Sequence, residues 1–128
     1  MDTQELRLGD AREEGLGPDG ARFWTLAAPG EPGTSARTAG LQLVERLRRV
    51  VGTDLHGDAG LFLGFDDLTW AATGPTLLVD DDVVEADARA ERAADDRERV
   101  AYRVRVHTVD GPIDLFRGVA VTLHPRRA

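Results

Sequence analysis

The chain has 128 residues, a formal net charge of −7 at pH 7 and no cysteine. Its length fits one domain, and we predict a single domain over residues 1–128. The negative charge argues against nucleic acid and anionic membranes as partners, because both require a basic surface. The absence of cysteine excludes disulfides, a thiolate nucleophile and a metal site built on cysteine. No apolar stretch approaches the roughly 20 residues that span a bilayer. The first residues also lack the pattern of a signal peptide, so we expect a cytoplasmic protein.

The first part of the chain predicts a loose hairpin followed by a break. Residues 5–14 are polar with two alternating leucines, which is typical of a short strand. Residues 15–20 are rich in turn formers, and residues 21–27 have the composition of a second strand. The glycines and prolines of residues 29–33 then interrupt the chain.

Residues 38–52 predict one long helix. Apolar side chains recur at helical spacing and form one stripe on it. These side chains are Leu43, Val44, Leu47, Val50 and Val51. Thr34, Ser35 or Thr38 can cap the first turn, because a hydroxyl accepts a hydrogen bond from its free N–H groups. Gly52 lies where a left-handed residue would end the helix.

Everything after the helix predicts strands. Segments of alternating or continuous apolar character lie around residues 60–70, 77–92, 99–109 and 113–124. Three consecutive aspartates at residues 80–82 interrupt the second segment. They lack the ligand spacing of a calcium-binding loop, so we predict a solvated bend there.

The last two strands predict a hairpin with a two-residue turn at Asp110 and Gly111. Counting outward from that turn places Arg117 opposite Val104 on the apolar face. The other pairs predicted on that face are Val106 with Leu115, Tyr102 with Val119 and Val100 with Val121. Two interpretations of Arg117 follow. Either a bulge at Gly118 or an edge position turns the arginine outward, or the arginine points inward at a site.

This order of one helix and then strands resembles the hot-dog superfamily, and most closely the β-hydroxyacyl-ACP dehydratases of bacterial fatty-acid synthesis. Those enzymes carry a His-Phe-Pro-Gly-x-Pro segment before the central helix, where residues 27–32 read Ala-Ala-Pro-Gly-Glu-Pro. The Gly-Leu-Gln opening of the helix at residues 40–42 is similar to the Gly-Leu-Asp of one dehydratase branch. Residues 63–70 and 100–123 resemble the strand after the helix and the closing hairpin.

The resemblance implies an α+β hot-dog fold, in which one long central helix is wrapped by a curved antiparallel sheet. It also implies a dimer joined edge to edge, with substrate tunnels at the interface. The implied ligand is an acyl chain on a phosphopantetheine arm, delivered by acyl carrier protein or CoA, and no cofactor is implied. Within this frame Pro29, Gly30 and Arg117 are the expected substrate-binding residues.

The catalytic pair of the dehydratases has no full counterpart in this sequence. Dehydration of a 3-hydroxyacyl thioester needs a base for the C2 proton and an acid for the departing hydroxyl. The family uses a histidine and a carboxylic acid, whereas this chain has Ala27 and Gln42 at those positions. Glutamine cannot transfer a proton at neutral pH. An alignment shifted by three residues would instead place Glu45 at the acid position.

A second group of hot-dog enzymes, the thioesterases, often uses one carboxylate to activate water or to attack the thioester. Glu45, Asp54 and Asp58 are the candidates here. For Glu45 the sequence favours a solvated ion pair with Arg48 and Arg49, because residues three and four apart are neighbours on a helix.

The three histidines give no metal-binding pattern. His56 lies in a segment that could reach a neighbouring subunit's pocket, or it is a plain surface residue. His107 falls opposite Asp114 in the predicted hairpin, which predicts a cross-strand pair. His124 lies near the end of the chain. Their spacing matches no known zinc motif, so we predict no metal site.

Three functions remain open from the sequence. The first is a dehydratase-like protein that acts on or binds carrier-linked acyl thioesters in fatty-acid or polyketide biosynthesis. It would be a catalytically depleted subunit of a heterodimer with a histidine-bearing hot-dog partner. The second is a carboxylate-dependent thioesterase, and the third is a homodimeric, non-catalytic acyl-binding module. An acidic carrier protein would need a basic contact, for which the candidates are Arg46, Arg48, Arg49, Arg126 and Arg127.

Overall fold

One helix and six strands make up the part of the chain that the structure, a computed structural model, describes. The described residues are 12–16, 22–71, 75–90 and 97–124. The elements are β1 (Arg12–Leu16), β2 (Arg22–Pro29), α1 (Ala36–His56), β3 (Leu61–Trp70), β4 (Val83–Ala90), β5 (Arg97–Thr108) and β6 (Gly111–Leu123). The predicted first strand at residues 5–14 lies largely outside the described residues. Its counterpart β1 pairs with β2, which agrees with the predicted hairpin.

The six strands form one antiparallel sheet in the order β1-β2-β4-β5-β6-β3, so β1 and β3 are its edges. Helix α1 packs against one face, where it contacts the four inner strands. This arrangement confirms the predicted α+β architecture. Among the described residues, no helix has the length and the apolar content that a membrane crossing requires.

The core lies between the apolar stripe of α1 and the inner face of the sheet. Four of the five predicted stripe residues are buried, and Val50 is partly buried at its side. The sheet supplies Trp24, Leu26, Val84, Ala86, Ala88, Val100, Tyr102, Val104 and Val106. Each large apolar side chain that is fully buried contributes about 1.5–3 kcal/mol, so this interface fixes α1 on the sheet.

Helix α1 is longer than predicted at both ends. Of the three possible caps, Ser35 is the N-cap, and its Oγ accepts a hydrogen bond from the Thr38 N–H at 3.4 Å. The prediction of Gly52 as the end of the helix is wrong. The helix continues to His56 and ends at Gly57, which has φ 84° and donates its N–H to the Thr53 carbonyl at 2.9 Å.

Gly52 has a packing role instead of a capping role. A Cβ atom at Gly52 would lie 3.0 Å from the carbonyl oxygens of both Asp58 and Ala59. The chain folds back over the helix at this point, and only a residue without a side chain allows so close an approach.

The hairpin between β5 and β6 differs from the prediction. Thr108 pairs with Gly111, so Val109 and Asp110 form the turn in place of Asp110 and Gly111. This displaces the predicted register along the whole hairpin. The residues expected to face each other across it, such as Val106 and Leu115, do not pair.

A bulge a few residues further along β6 changes which of its side chains point towards the core. Leu115 is left without a partner between the pairs Arg105–Asp114 and Val104–Phe116. The predicted bulge therefore exists, but it lies at Leu115 and not at Gly118. As a result Arg117 is exposed on the face of the sheet away from α1, opposite Arg103.

The predicted second strand segment is a strand only in its second half. β4 begins at Val83, and residues 77–82 form a loop that is hydrogen-bonded through Leu78 to Gly33 and Thr34, just before α1. Asp81 has φ 68°, a left-handed conformation that ends the extended run. The predicted bend at the aspartates is present, but Asp82 is buried, and its carboxylate accepts a hydrogen bond from the Val79 N–H at 2.9 Å.

A Gly52→Ala substitution tests the close approach over the helix. At an exposed helix position, replacement of glycine by alanine normally stabilises the helix. Here its Cβ would meet two backbone oxygens that cannot move easily, so we expect a loss of about 1–3 kcal/mol in the free energy of unfolding. Urea unfolding followed by circular dichroism measures it. The control Gln42→Ala, at an exposed position of the same helix, should change stability by less than about 0.5 kcal/mol. Equal values for the two variants would contradict this packing.

Candidate functional site

Ionisable side chains are gathered between the end of α1 and the open end of the β5–β6 hairpin. His56 belongs to the last turn of α1, Glu98 is the second residue of β5, and His124 directly follows β6. We call these three residues the histidine–glutamate cluster. Asp58, in the turn after the helix, contacts the cluster from the side.

The strand order brings these distant residues together. Leu123, at the end of β6, pairs with the first residue of β5 on one side and with the first residue of β3 on the other. The residues next to these pairs therefore meet in one place. Gly60, with φ 69°, crosses so close to His124 that a Cβ there would lie 2.6 Å from the ring. Glycine at this position lets the chain leave α1 and enter β3 over the imidazole.

Both imidazoles contact the same carboxylate oxygen. Nε2 of His56 lies 3.0 Å from Oε2 of Glu98, and Nε2 of His124 lies 3.3 Å from the same atom. The two rings are stacked, with centroids 3.9 Å apart and planes inclined by 22°. Nδ1 of His124 lies 3.1 Å from Oδ1 of Asp58, so this carboxylate holds the other side of the ring.

The members of the cluster differ in their access to solvent. Glu98 is 2% exposed and His124 is 7% exposed, whereas the His56 side chain retains 29% of its surface. Burial raises the pKa of Glu98, and the positive charges of His56 and Arg48 offset part of this rise. Ligands can therefore reach the cluster from the His56 side.

Several buried polar atoms around the cluster have no hydrogen-bond partner among the described residues. They are Glu98 Oε2, His124 Nε2, Tyr102 Oη and Thr122 Oγ1. The two contacts of Glu98 with the imidazoles, at 3.0 and 3.3 Å, are short but leave its Oε2 without an aligned hydrogen bond. A buried polar group without a partner costs about 1–3 kcal/mol. Such groups are rare in native proteins, so this concentration around Glu98 calls for an explanation.

Arg48 closes the cluster on the helix side. Its guanidinium is buried and donates hydrogen bonds to both carboxylate oxygens of Glu45, at 2.8 and 2.9 Å, and to the Ala59 carbonyl at 2.9 Å. These bonds and the neighbouring Glu98 raise the pKa of Arg48, so it keeps its charge. Burial raises the pKa of Tyr102, and its hydroxyl therefore remains a neutral donor.

The carboxylates predicted as thioesterase candidates have different surroundings. Glu45 is bound by Arg48 and lies 3.8 Å from Arg49, as the ion-pair interpretation expects. The hydrogen bond from Arg48 lowers the pKa of Glu45, which makes it a poor base. Asp54 accepts a hydrogen bond from the Trp24 indole at 2.8 Å. Of the three candidates, Asp58 alone contacts the cluster.

The other predicted site residues lie away from the cluster. Gln42 is exposed on α1, about 20 Å along the helix axis from His56. Pro29 is exposed at the end of β2, and the Gly30 N–H donates to the Asp82 carbonyl at 2.7 Å. Arg117 borders two shallow grooves on the opposite face of the sheet, the larger of about 710 Å³.

The prediction for His107 also needs correction. The displaced hairpin register places Pro112, not Asp114, opposite His107. Nε2 of His107 instead lies 3.0 Å from Oε1 of Glu85 on β4. His107 therefore forms a pair within the sheet, outside the cluster.

Sequence comparison gives no relative of this chain: no family model matches it, and no curated protein matches it. Two solved structures share its fold. The hexameric thioesterase y2039 from Yersinia pestis has a TM-score of 0.64 at 16% identity, over 79% of this chain and 85% of that one. The second is yhdA from Lactococcus lactis, a proposed thioesterase. It has a TM-score of 0.62 at 10% identity, over 99% of this chain and 100% of that one. At these identities the likeness shows the fold alone, and it confirms the predicted hot-dog fold.

A Glu98→Gln substitution tests the electrostatics of the cluster. Because the native pKa of Glu98 is raised, the folded chain holds this proton more tightly than the unfolded chain does. The contribution of Glu98 to the free energy of unfolding is therefore largest when the pH is below the pKa of this residue in the unfolded chain. It declines as pH rises through the pKa in the folded chain. Glutamine lacks this titration. We expect the Tm of the variant minus the Tm of the natural chain to become more positive as pH rises from 4 to 8. Both chains are measured in buffer with EDTA, so that no metal ion contributes. Parallel Tm curves would contradict the buried carboxylate.

Proposed function

We propose that this chain hydrolyses acyl thioesters and that the reaction takes place at the histidine–glutamate cluster. The observation that carries the proposal is Glu98, a carboxylate only 2% exposed that meets two imidazoles without an aligned hydrogen bond. Imidazole and carboxylate side chains activate water in enzymes, either as bases or as ligands of a metal ion. The fold shared with a thioesterase and with a proposed thioesterase agrees with this reaction.

Hydrolysis suits the cluster better than dehydration does. Attack of one water on the thioester carbonyl requires one centre that activates water. Dehydration requires a base at C2 and a separate acid at C3. At the position of the dehydratase histidine this chain has Ala27, which is buried in β2 and cannot ionise. Gln42 cannot replace the acid, and it lies far from the cluster.

The surface beside the cluster suits an acyl chain. Leu61, Phe62 and Leu63 begin β3 directly after the turn that passes over His124, and they are 59%, 36% and 49% exposed. We call these three residues the apolar edge. An exposed apolar strip of this kind on a small protein commonly marks a binding surface. The acyl group would lie along the apolar edge with its thioester near His56.

The apolar edge is also the proposed contact between two copies of the chain. β3 borders the sheet, and exposed edges are normally paired or covered. Register shifts near residues 62–64 and 66–69, with Asp67 at φ 54°, interrupt its pairing with β6. Pairing of β3 with its copy would build the site at a dimer interface. A heterodimer with another hot-dog subunit is the competing outcome.

The carrier of the acyl group is CoA or acyl carrier protein. Among the arginines considered for carrier-protein contact, Arg48 is buried against Glu45 and cannot serve. Arg126 and Arg127 lie outside the described residues. Arg46 and Arg49 are exposed on α1 and remain candidates for that contact, so CoA thioesters and carrier-linked thioesters are both substrates to test.

A second candidate function is a catalytically depleted, dehydratase-like subunit or acyl-binding module. The observation that favours it is the pair of substitutions at Ala27 and Gln42 in a segment that otherwise resembles the dehydratases. Mass spectrometry of a 3-hydroxyacyl carrier protein distinguishes the three functions. Loss of the acyl group indicates hydrolysis, loss of one water indicates dehydration, and an unchanged mass excludes both reactions and favours the depleted subunit or binding module.

A His56→Asn substitution tests the proposed site. We expect thiol release from acyl-CoA to fall by at least about 100-fold, because the cluster loses its accessible imidazole. Ellman's reagent measures the thiol without background, since the chain has no cysteine. The matched control is His107→Asn, because His107 contacts a glutamate at the same 3.0 Å on another part of the sheet. This control should retain the rate. Equal losses in the His56 and His107 variants would contradict the assignment.

The double substitution Leu61→Glu/Leu63→Glu tests the dimer contact. Two carboxylates on each apolar edge would repel their copies, so we expect the dimer to become a monomer in analytical ultracentrifugation. Leu77→Glu is the control, because Leu77 is 54% exposed but lies in the loop before β4. It should leave the dimer intact. A dimer that survives the double substitution would show that the copies meet elsewhere.

A further inference from the structure

We propose that the histidine–glutamate cluster binds one divalent transition-metal ion, with Zn²⁺ as its representative. His56, Glu98 and His124 each offer one ligand atom, and these atoms lie within 4.8 Å of one another. We take them to be Oε2 of Glu98 and the two Nε2 atoms that lie 3.0 and 3.3 Å from it. The binding is independent of the proposed function, whereas the catalytic role given to the ion below rests on it.

Of the three distances between pairs of ligand atoms, two match those of tetrahedral coordination. Bonds of about 2.0–2.1 Å to zinc at the tetrahedral angle separate neighbouring ligands by about 3.3 Å. The two distances to Glu98 are 3.0 and 3.3 Å. The two imidazoles are stacked, so His56 must turn out of the stack to direct its nitrogen at the same point. Its partial exposure leaves room for this rotation.

An ion explains the polar atoms that the protein leaves without partners. Oε2 of Glu98 and Nε2 of His124 are buried and make no aligned hydrogen bond among the described residues, although they lie 3.3 Å apart. Two acceptors that face each other at this distance need a shared cation or a shared proton. Misalignment argues against the shared proton, and the buried negative charge favours the cation.

Asp58 orients the imidazole of His124 and fixes its tautomer for metal binding. Its Oδ1 lies 3.1 Å from Nδ1 of His124, and the same oxygen accepts the Gly60 N–H at 2.8 Å. A carboxylate in this position retains the proton on Nδ1 and leaves the lone pair of Nε2 directed at the cluster. Metal-binding histidines almost always have such a partner on the second nitrogen.

The donor set selects a transition metal and leaves one position open. Two imidazoles and one carboxylate suit Zn²⁺ or Co²⁺, whereas Mg²⁺ and Ca²⁺ prefer oxygen ligands. Three protein ligands are the number found at catalytic zinc sites, where water takes the fourth position. In this chain the fourth position would face solvent on the side of His56, the most exposed member of the cluster.

The ion would supply the activated water for hydrolysis. Zinc lowers the pKa of bound water to about 7, so hydroxide is present at neutral pH. The hydroxide oxygen bonds to the thioester carbonyl carbon, the carbon–sulfur bond breaks, and its electron pair leaves with sulfur. The thiolate takes up the proton released from the water. One thioester and one water thus give one carboxylic acid and one thiol.

Zinc titration of the tag-free chain, stripped with EDTA, tests the site. Isothermal titration calorimetry should show one Zn²⁺ per chain, Zn²⁺ should raise Tm, and Mg²⁺ should do neither. His124→Gln should weaken binding by more than about 100-fold, and Asp58→Asn should weaken it by about 10- to 100-fold. The control His107→Gln should bind like the natural chain. His107 is the one histidine outside the cluster, and the chain has no cysteine, so competing soft ligands are few.

Two results would overturn the metal site: no zinc binding by the natural chain, or equal binding by the natural chain and the His124→Gln variant. If the buried substitution prevents folding, His56→Gln at the exposed end of α1 replaces it in the same titration.

Activity assays separate the site from the proposed function. Zinc binding without thioester hydrolysis would retain the site and contradict the function. Hydrolysis at full rate by a chain shown to be free of zinc would retain the function and overturn the role of the ion.

Discussion

The burial of Glu98 is the constraint on which the C-terminal half of α1 and its surroundings depend. A carboxylate enclosed between helix and sheet is costly unless positive charge surrounds it. Arg48 supplies that charge from the helix, and His56 and His124 meet the same oxygen. The longer helix, the crossing at Gly60 and the contact of Asp58 with His124 all serve to bring these groups to one place. A hydrophobic residue at position 98 would make most of this arrangement unnecessary.

Much of the fold could be predicted from the sequence, because local patterns determine it. The apolar stripe of α1, the hydroxyl cap at its start and the alternation in β5 and β6 follow from helical and strand periodicity. The errors arise where tertiary contacts override a local signal. Gly52 is a good terminator by type, but it serves the close packing of the following turn. The bulge at Leu115 changes which side chains of β6 point towards the core, and no local sequence pattern predicts it.

The candidate site could be predicted only in part. His56 was selected from the sequence, but its partners lie in β5 and after β6, and no spacing motif connects them. One signal was present. The inward phase of β5, which contains Val100 and Tyr102, extends back to Glu98, so alternation alone predicts a charged residue facing the core. The resemblance to dehydratases implies a site at the start of the helix, whereas the buried charges lie at its other end.

The most direct test of the account is long-range ¹H–¹⁵N NMR of the three histidine side chains during titration with a non-hydrolysable thioether analogue of acyl-CoA. The chain has three histidines, and two belong to the proposed site. If the cluster binds the thioester, the imidazole signals of His56 and His124 shift with a common dissociation constant, and those of His107 do not move. Binding of the analogue without any change at His56 and His124 would contradict the account and place the acyl site elsewhere on the fold.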